Sequence, residues 1–146
     1  MAVAAATGRI GVVFLIGTRL MDWQISGKAS KSPDLAVRYI ASLILSHRPD
    51  VFVIEKLGAA RNKGEKAKAL IMAMATVAAE HELLDISVER SHDFPNKYDE
   101  AAALIERYPE IAAWQPKRRF FDNEPRNTVL FEALALADCV LAGKAN

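Results

Sequence analysis

The segment Val51–Glu55 constrains the fold of this chain more than any other, because it is a run of four apolar residues closed by a glutamate. Such a run, rich in β-branched and aromatic side chains, is typical of a strand covered on both faces. In open α/β sheets, functional groups collect where strands end, since the backbone there leaves the core but is still held rigidly. The sequence therefore predicts that Glu55 is a catalytic or metal-binding carboxylate. The alternative is a solvated glutamate that pairs with Lys56 or Arg61.

The length and composition predict a single domain that spans residues 1–146. Hydrophobic residues make up 51% of the chain and charged residues 25%, and the net charge of +1 gives no global attraction to nucleic acid. Any surface that binds nucleic acid must therefore be local. The single cysteine, Cys139, favours a reducing, cytoplasmic location. No apolar run approaches the ~18 residues of a membrane span.

Four strands and four helices are predicted. The strands cover residues 9–17, 20–26, 51–55 and 85–89, and the first two are expected to form an antiparallel hairpin. The helices cover residues 33–47, 67–82, 96–108 and 123–143, as helical spacing of apolar residues and prolines near two of the starts indicate. The apolar residues 1–7 lack a basic flank, so no signal peptide is predicted there. This order predicts an α/β domain with a mixed, mostly parallel sheet and flanking helices, with a flavodoxin-like fold as the alternative.

Three carboxylates are candidates for a metal site. Glu55 ends a strand, Glu124 opens the last helix, and Glu132 follows two turns later. Eight helical residues leave Glu124 and Glu132 about 80° apart around the axis, so both side chains can lean toward one side. Carboxylates gathered in this way repel one another unless a cation joins them, as Mg²⁺ does in phosphodiester chemistry. The alternatives are that Glu124 only complements the helix dipole and that Glu132 is solvated.

Positive charge is concentrated in two segments. Residues 58–68 are glycine-punctuated and basic, and residues 111–121 carry a cationic run among aromatic side chains. A local cluster of this kind is what phosphate contacts require. The residues predicted to contact nucleic acid from these segments and the last helix are Arg61, Lys63, Lys117, Arg118, Arg119 and Arg126.

Residues 120–137 resemble the C-terminal motif of RuvC-like proteins, small relatives of the RuvC-type Holliday-junction resolvases in the ribonuclease H-like superfamily. In that family an acidic pair ahead of the last helix is followed by an arginine and by Phe-Asp-Ala. Glu124 matches the acid ahead of the helix, and Glu132 matches the aspartate of Phe-Asp-Ala. Glu55, in Val-Ile-Glu, matches an acid on an earlier strand, and Lys97 also fits.

The resemblance implies a ribonuclease H-like mixed sheet that begins with an antiparallel hairpin. It also implies a Mg²⁺-dependent endonuclease on structured DNA, in which Glu55, Glu124 and Glu132 are catalytic and hold the metal. Lys97 is then expected to contact DNA.

One position departs from the family pattern. The family's first strand carries an aspartate near the glycine of its turn, which supplies a ligand shared by the metals, and Leu15 is the residue assigned to that position here. Asp22, on the next strand, would replace it only if its side chain reached the site. The departure predicts that Mg²⁺ binds weakly or singly and that cleavage is negligible.

Three functional hypotheses follow from these residues. The first is a Mg²⁺-dependent endonuclease, and the second is a non-catalytic module that binds structured DNA on the same fold. The third is a scaffold that uses the fold only to form a homodimer. Leu15 separates the first hypothesis from the others, because a nuclease of this kind needs a carboxylate at the position to which Leu15 is assigned.

Overall fold

The computed structural model describes residues 1–59, 63–89, 94–117 and 125–143. Within these ranges five strands form one mixed sheet, namely β1 (Ala2–Ala6), β2 (Arg9–Ile16), β3 (Arg19–Ser26), β4 (Val51–Glu55) and β5 (Leu84–Val88). Their order across the sheet is β3-β2-β1-β4-β5. The strand β2 is antiparallel to both of its neighbours, whereas β1, β4 and β5 are parallel to one another. The predicted mixed sheet with an antiparallel hairpin is confirmed.

Helices cover both faces of the sheet. The helices α1 (Pro33–His47) and α2 (Glu65–Glu80) pack on one face, and α3 (Lys97–Arg107) and α4 (Thr128–Leu141) pack on the other. Because strand side chains alternate, Val3 and Ile54 face the first pair of helices, whereas Ala2 and Val53 face the second. The result is three layers with two apolar cores. No helix in the described ranges is long and apolar enough to cross a membrane.

The strand β1 is absent from the sequence-based prediction, which is therefore corrected. Four of its five residues are alanine, and alanine is depleted in strands because its side chain packs little surface. The strand forms because it is central, with β2 paired on one side and β4 on the other, and its residues from Ala2 to Ala5 are buried. Tertiary pairing here outweighs local preference.

The helix α4 lies close against the sheet. It begins at Thr128, later than the predicted start near Pro125, and most of its residues are buried. A Cβ atom built on Gly11 of β2 would lie 2.7 Å from the carbonyl oxygen of Val129. Glycine at position 11 therefore allows the first turn of α4 to rest on the sheet backbone.

The strand β3 places Asp22 and Gln24 on the α1 side, as its alternation predicts. His47 Nε2 lies 3.2 Å from Asp22 Oδ2, and the hydroxyl of Tyr39 donates to Gln24 Oε1 at 3.0 Å. The ring of His47 also stacks on Phe14, with centroids 3.7 Å apart. His47 is thus an exposed residue at the carboxyl end of α1 that contacts β2 and β3, and Asp22 faces α1.

The close approach at Gly11 yields a stability prediction. Gly11→Ala is expected to lower the free energy of unfolding by about 1–3 kcal/mol, because the new methyl group displaces the first turn of α4. Urea denaturation measures the change. Gly58→Ala is the matched control, since a Cβ atom there meets nothing within 4 Å. Equal losses for the two variants would contradict the close-packing argument.

Candidate functional site

Glu55 is held rigidly at the carboxyl end of β4. It is 6% exposed, and by strand alternation its side chain lies on the same face as Val53, toward α4. The pairing with β5 continues past it, because the amide of Lys56 donates to the carbonyl of Val88 at 2.7 Å. Both the predicted strand and the position of Glu55 at its end are therefore as the sequence indicated, and Glu55 is buried, unlike the solvated glutamate of the alternative.

Glu132 is buried on α4 and bonded to two lysines. It is 3% exposed, so it is not the solvated helix residue of the alternative interpretation. Lys63 Nζ lies 2.9 Å from Glu132 Oε2, and Lys97 Nζ lies 3.2 Å from Glu132 Oε1. We call Lys63, Lys97 and Glu132 the lysine clamp. Each carboxylate oxygen thus has an ammonium partner from a different part of the chain.

The two lysines reach Glu132 from the starts of two helices. Lys63 directly precedes Gly64, the N-cap residue of α2, and its ammonium also donates to the carbonyl oxygen of Ala5 at 2.6 Å. Lys97 is the first residue of α3. The N-cap residue of this helix, Asn96, accepts hydrogen bonds from the backbone amides of Tyr98 and Asp99. The side chain of Lys63 is 15% exposed and that of Lys97 is 43% exposed. The clamp therefore joins the end of β1, α4 and two helix starts.

Glu55 and the lysine clamp lie on the α4 side of the sheet where β1 and β4 end, and we call this region the crevice. Two carboxylates (Glu55 and Glu132) and two ammonium groups (Lys63 and Lys97) sum to a formal charge of zero. A buried carboxylate without a partner costs several kcal/mol, so charged hydrogen bonds to Glu132 are needed for it to stay ionised in the core. Side chains of the chain itself supply this compensation.

The described residues do not fit a magnesium site. Among them no group of three or more His, Cys, Asp or Glu side chains is placed to hold a metal ion. Mg²⁺ requires near-octahedral oxygen ligation, whereas both oxygens of Glu132 are bonded to ammonium groups. The strand β1 also contributes no acidic side chain. Glu124, the third predicted ligand, lies outside the described residues.

Leu15 does not lie at this crevice, and its assignment to the first-ligand position is wrong. Gly11 is the residue of β2 that pairs with Ala4. Leu15 lies four residues further along β2, about 13 Å from Gly11 and toward the amino-terminal end of β1. Local patterns indicate β2 as the first strand, because the alanine-rich β1 has a low strand propensity. The strand that ends beside β4 is β1, which reaches Ala6 just before Thr7-Gly8. Asp22 faces α1 and does not replace the missing acid.

The remaining predicted basic residues are only partly located. Lys117 and Arg126 are exposed, on either side of residues 118–124. The amide nitrogen of the Asn127 side chain donates to the carbonyl of Trp114 at 3.0 Å, and Trp114 packs edge-on against Trp23, so the chain around residue 114 is fixed to the start of α4. Arg61, Arg118 and Arg119 lie outside the described residues.

Sequence reasoning did not predict the lysine clamp. Lys63 and Lys97 were singled out as basic residues, but they lie 69 and 35 positions before Glu132, and no local spacing connects them. The contact with the carbonyl of Ala5 is not predictable either, because no local pattern indicates that β1 is a strand. The available signal was the apolar surroundings of Glu132, which indicate a buried charge and hence a cationic partner.

The clamp yields a second stability prediction. Glu132→Gln is expected to lower the free energy of unfolding by about 2–3 kcal/mol, below the range for fully buried pairs because Lys97 is 43% exposed. Urea denaturation checks the value. Asp34→Asn breaks the exposed pair with Arg38 and should cost less than about 1 kcal/mol. A loss at Glu132 no greater than that at Asp34 would show that the clamp does not stabilise the fold.

Solved structures match nearly the whole chain, although no family model and no curated protein matches its sequence. The RuvC structure from Thermus thermophilus superposes with a TM-score of 0.65 at 16% identity, over 99% of this chain and 96% of that chain. RuvC from T. thermophilus in complex with a Holliday junction substrate also gives 0.65, at 14% identity and the same coverage. The fowlpox virus resolvase, in a complex with substrate Holliday junction DNA, gives 0.52 at 13% identity over 94% and 97%. The chain therefore has the RuvC-like, ribonuclease H-like fold.

Proposed function

We propose that this chain binds branched DNA in the crevice formed by Glu55 and the lysine clamp, and that it does not cleave that DNA with magnesium. The observation that carries the proposal is the lysine clamp itself, which sits at the carboxyl ends of β1 and β4. In open α/β sheets, ligands bind at the carboxyl ends of the strands. The proteins of this fold compared above include two solved with Holliday junctions, which supports branched DNA as the ligand.

The exposed part of Lys97 makes positive charge available to phosphates, although the four charged groups of the crevice sum to zero. Lys97 is 43% exposed, so its ammonium can contact solvent and phosphate while it pairs with Glu132. Lys117 and Arg126 are exposed and complete the described part of the basic surface, to which Arg61, Arg118 and Arg119 are assigned by the sequence alone. Phosphate contacts of this kind position the protein on DNA without reading its sequence.

The absence of cleavage is proposed from the donor set. Glu132 is engaged by two ammonium groups, and β1 offers alanines where the resemblance implies an acid. The competing function is a Mg²⁺-dependent endonuclease, and one observation favours it. Glu55 and Glu132 are both buried on the α4 side of the sheet, and the resemblance implies that these carboxylates hold a metal together.

Two further predictions concern the state of the protein. A homodimer, and the scaffold role that would rest on it, stay predictions from the sequence, as does a cytoplasmic location. Sedimentation equilibrium of the full chain, with and without DNA, measures the oligomeric state directly.

Binding is tested with a synthetic four-way junction and a duplex of the same sequence. The junction is expected to bind more tightly, and log Kd should rise with log salt concentration by about 0.9 for each phosphate neutralised. Lys97→Met should weaken binding and reduce that slope by about 1. Lys31→Met is the control, because Lys31 is exposed next to α1 on the far face. A salt-independent affinity, or equal effects of the two variants, would reject the proposed surface.

Cleavage is tested with the same junction in magnesium. The full chain is expected to leave the junction intact over times in which it remains bound, because the described carboxylates do not form a metal site. Glu55→Gln is the matched variant. Cutting by the wild-type chain that disappears in Glu55→Gln would establish the endonuclease and reject the non-catalytic proposal.

A further inference from the structure

We propose that the Lys63 ammonium is the resident cation of this crevice, so that the site excludes divalent ions and binds branched DNA without them. The nucleic-acid part of this inference rests on the proposed function. Its metal part rests on the geometry of the clamp alone, and the two parts are tested separately.

Lys63 occupies the position between the carboxylate and the central strand. Its ammonium lies 2.9 Å from Glu132 Oε2 and 2.6 Å from the carbonyl oxygen of Ala5, and its side chain is 15% exposed. These two acceptors come from α4 and from the end of β1, the strand next to Glu55's own strand. The Lys63 ammonium is therefore a cation that already lies between Glu132 on α4 and the end of β1.

A divalent ion would compete with Lys63 for the same oxygen atoms. Mg²⁺ or Mn²⁺ bound to Glu132 would take an oxygen at about 2.1 Å, which brings the ion beside the Lys63 ammonium or displaces it from Ala5. The other oxygen of Glu132, Oε1, is bonded to Lys97. A divalent ion that bound to Oε1 instead of Oε2 would therefore lie beside the Lys97 ammonium. Like charges this close oppose binding.

The alanines of β1 are consistent with a side-chain cation. Ala4 and Ala6 lie on the face that Glu55 shares, and neither supplies an oxygen ligand from its side chain. What β1 offers is the backbone carbonyl of Ala5, a neutral acceptor that suits an ammonium donor. The crevice therefore offers the Lys63 ammonium one acceptor on α4 and another on β1.

The metal part is tested by titrating Mn²⁺ into the full-length wild type, Lys63→Met, Lys63→Arg and Lys66→Met. Lys66 is an exposed lysine on α2 and serves as the matched control. Calorimetry is expected to show binding only in Lys63→Met, since Lys63→Arg keeps the charge. The melting temperature of Lys63→Met should then rise by roughly 5–10 °C at a Mn²⁺ concentration about 100 times Kd, with no shift in the other proteins. Wild type that binds Mn²⁺ as tightly as Lys63→Met, or a folded Lys63→Met that gains no Mn²⁺, overturns the inference.

A substitute variant covers the case in which Lys63→Met does not fold. Lys63→Gln retains an amide donor for the Ala5 carbonyl and removes the charge, and circular dichroism establishes which variant is folded. The same gain of Mn²⁺ binding is expected from it. If neither variant folds, the wild-type titration still decides, because Mn²⁺ binding by the wild type overturns the inference.

The nucleic-acid part is tested on the wild type with the four-way junction, in EDTA and in magnesium at matched ionic strength. The two dissociation constants are expected to agree within about twofold, because the protein supplies its own cation. Binding that is lost in EDTA overturns the inference. No junction binding in either buffer rejects the proposed function and with it this part, whereas the Mn²⁺ result stands or falls independently.

Discussion

The burial of one carboxylate, that of Glu132, between α4 and the end of the central strand is the constraint on which the rest of the structure depends. An ionised group at 3% exposure persists only with charged partners, and Lys63 and Lys97 meet that need from two helix starts. Because Lys63 also bonds to Ala5, this one carboxylate connects the central strand to the segment that leads into α2. The pairing therefore organises backbone far beyond its own helix.

Local patterns predicted the parts of the fold that local physics decides. The apolar run before Glu55, the Ser32-Pro33 start of α1 and the alternation of β3 each depend on neighbouring residues, and each is found in the structure. β1 was not predictable in this way, since a run of alanines becomes a strand only when β2 and β4 flank it. The misplacement of Leu15 followed from that single omission.

The candidate site was predictable only in outline. Glu55 and Glu132 were identified from their positions on a strand end and an apolar helix, and both are buried on one side of the sheet. The partners of Glu132 were not identified. Lys63 lies 69 positions and Lys97 lies 35 positions before Glu132, and contacts over such separations are set by the packing of α2 and α3 against the sheet. Residue type also misleads here, since a lysine in a basic segment suggests a surface contact, whereas Lys63 is mostly buried.

The three-layer arrangement separates the crevice from the opposite face of the molecule. The contacts of His47 with Asp22 and Phe14 belong to the α1 layer, and the five-stranded sheet lies between them and the lysine clamp. Leu45, on α1, is 68% exposed on that outer side. A fluorophore attached at position 45, or a linker that tethers the protein to a surface, would leave the crevice open. The exposed surface of α1 is thus suited to attaching a label or a tether for single-molecule experiments.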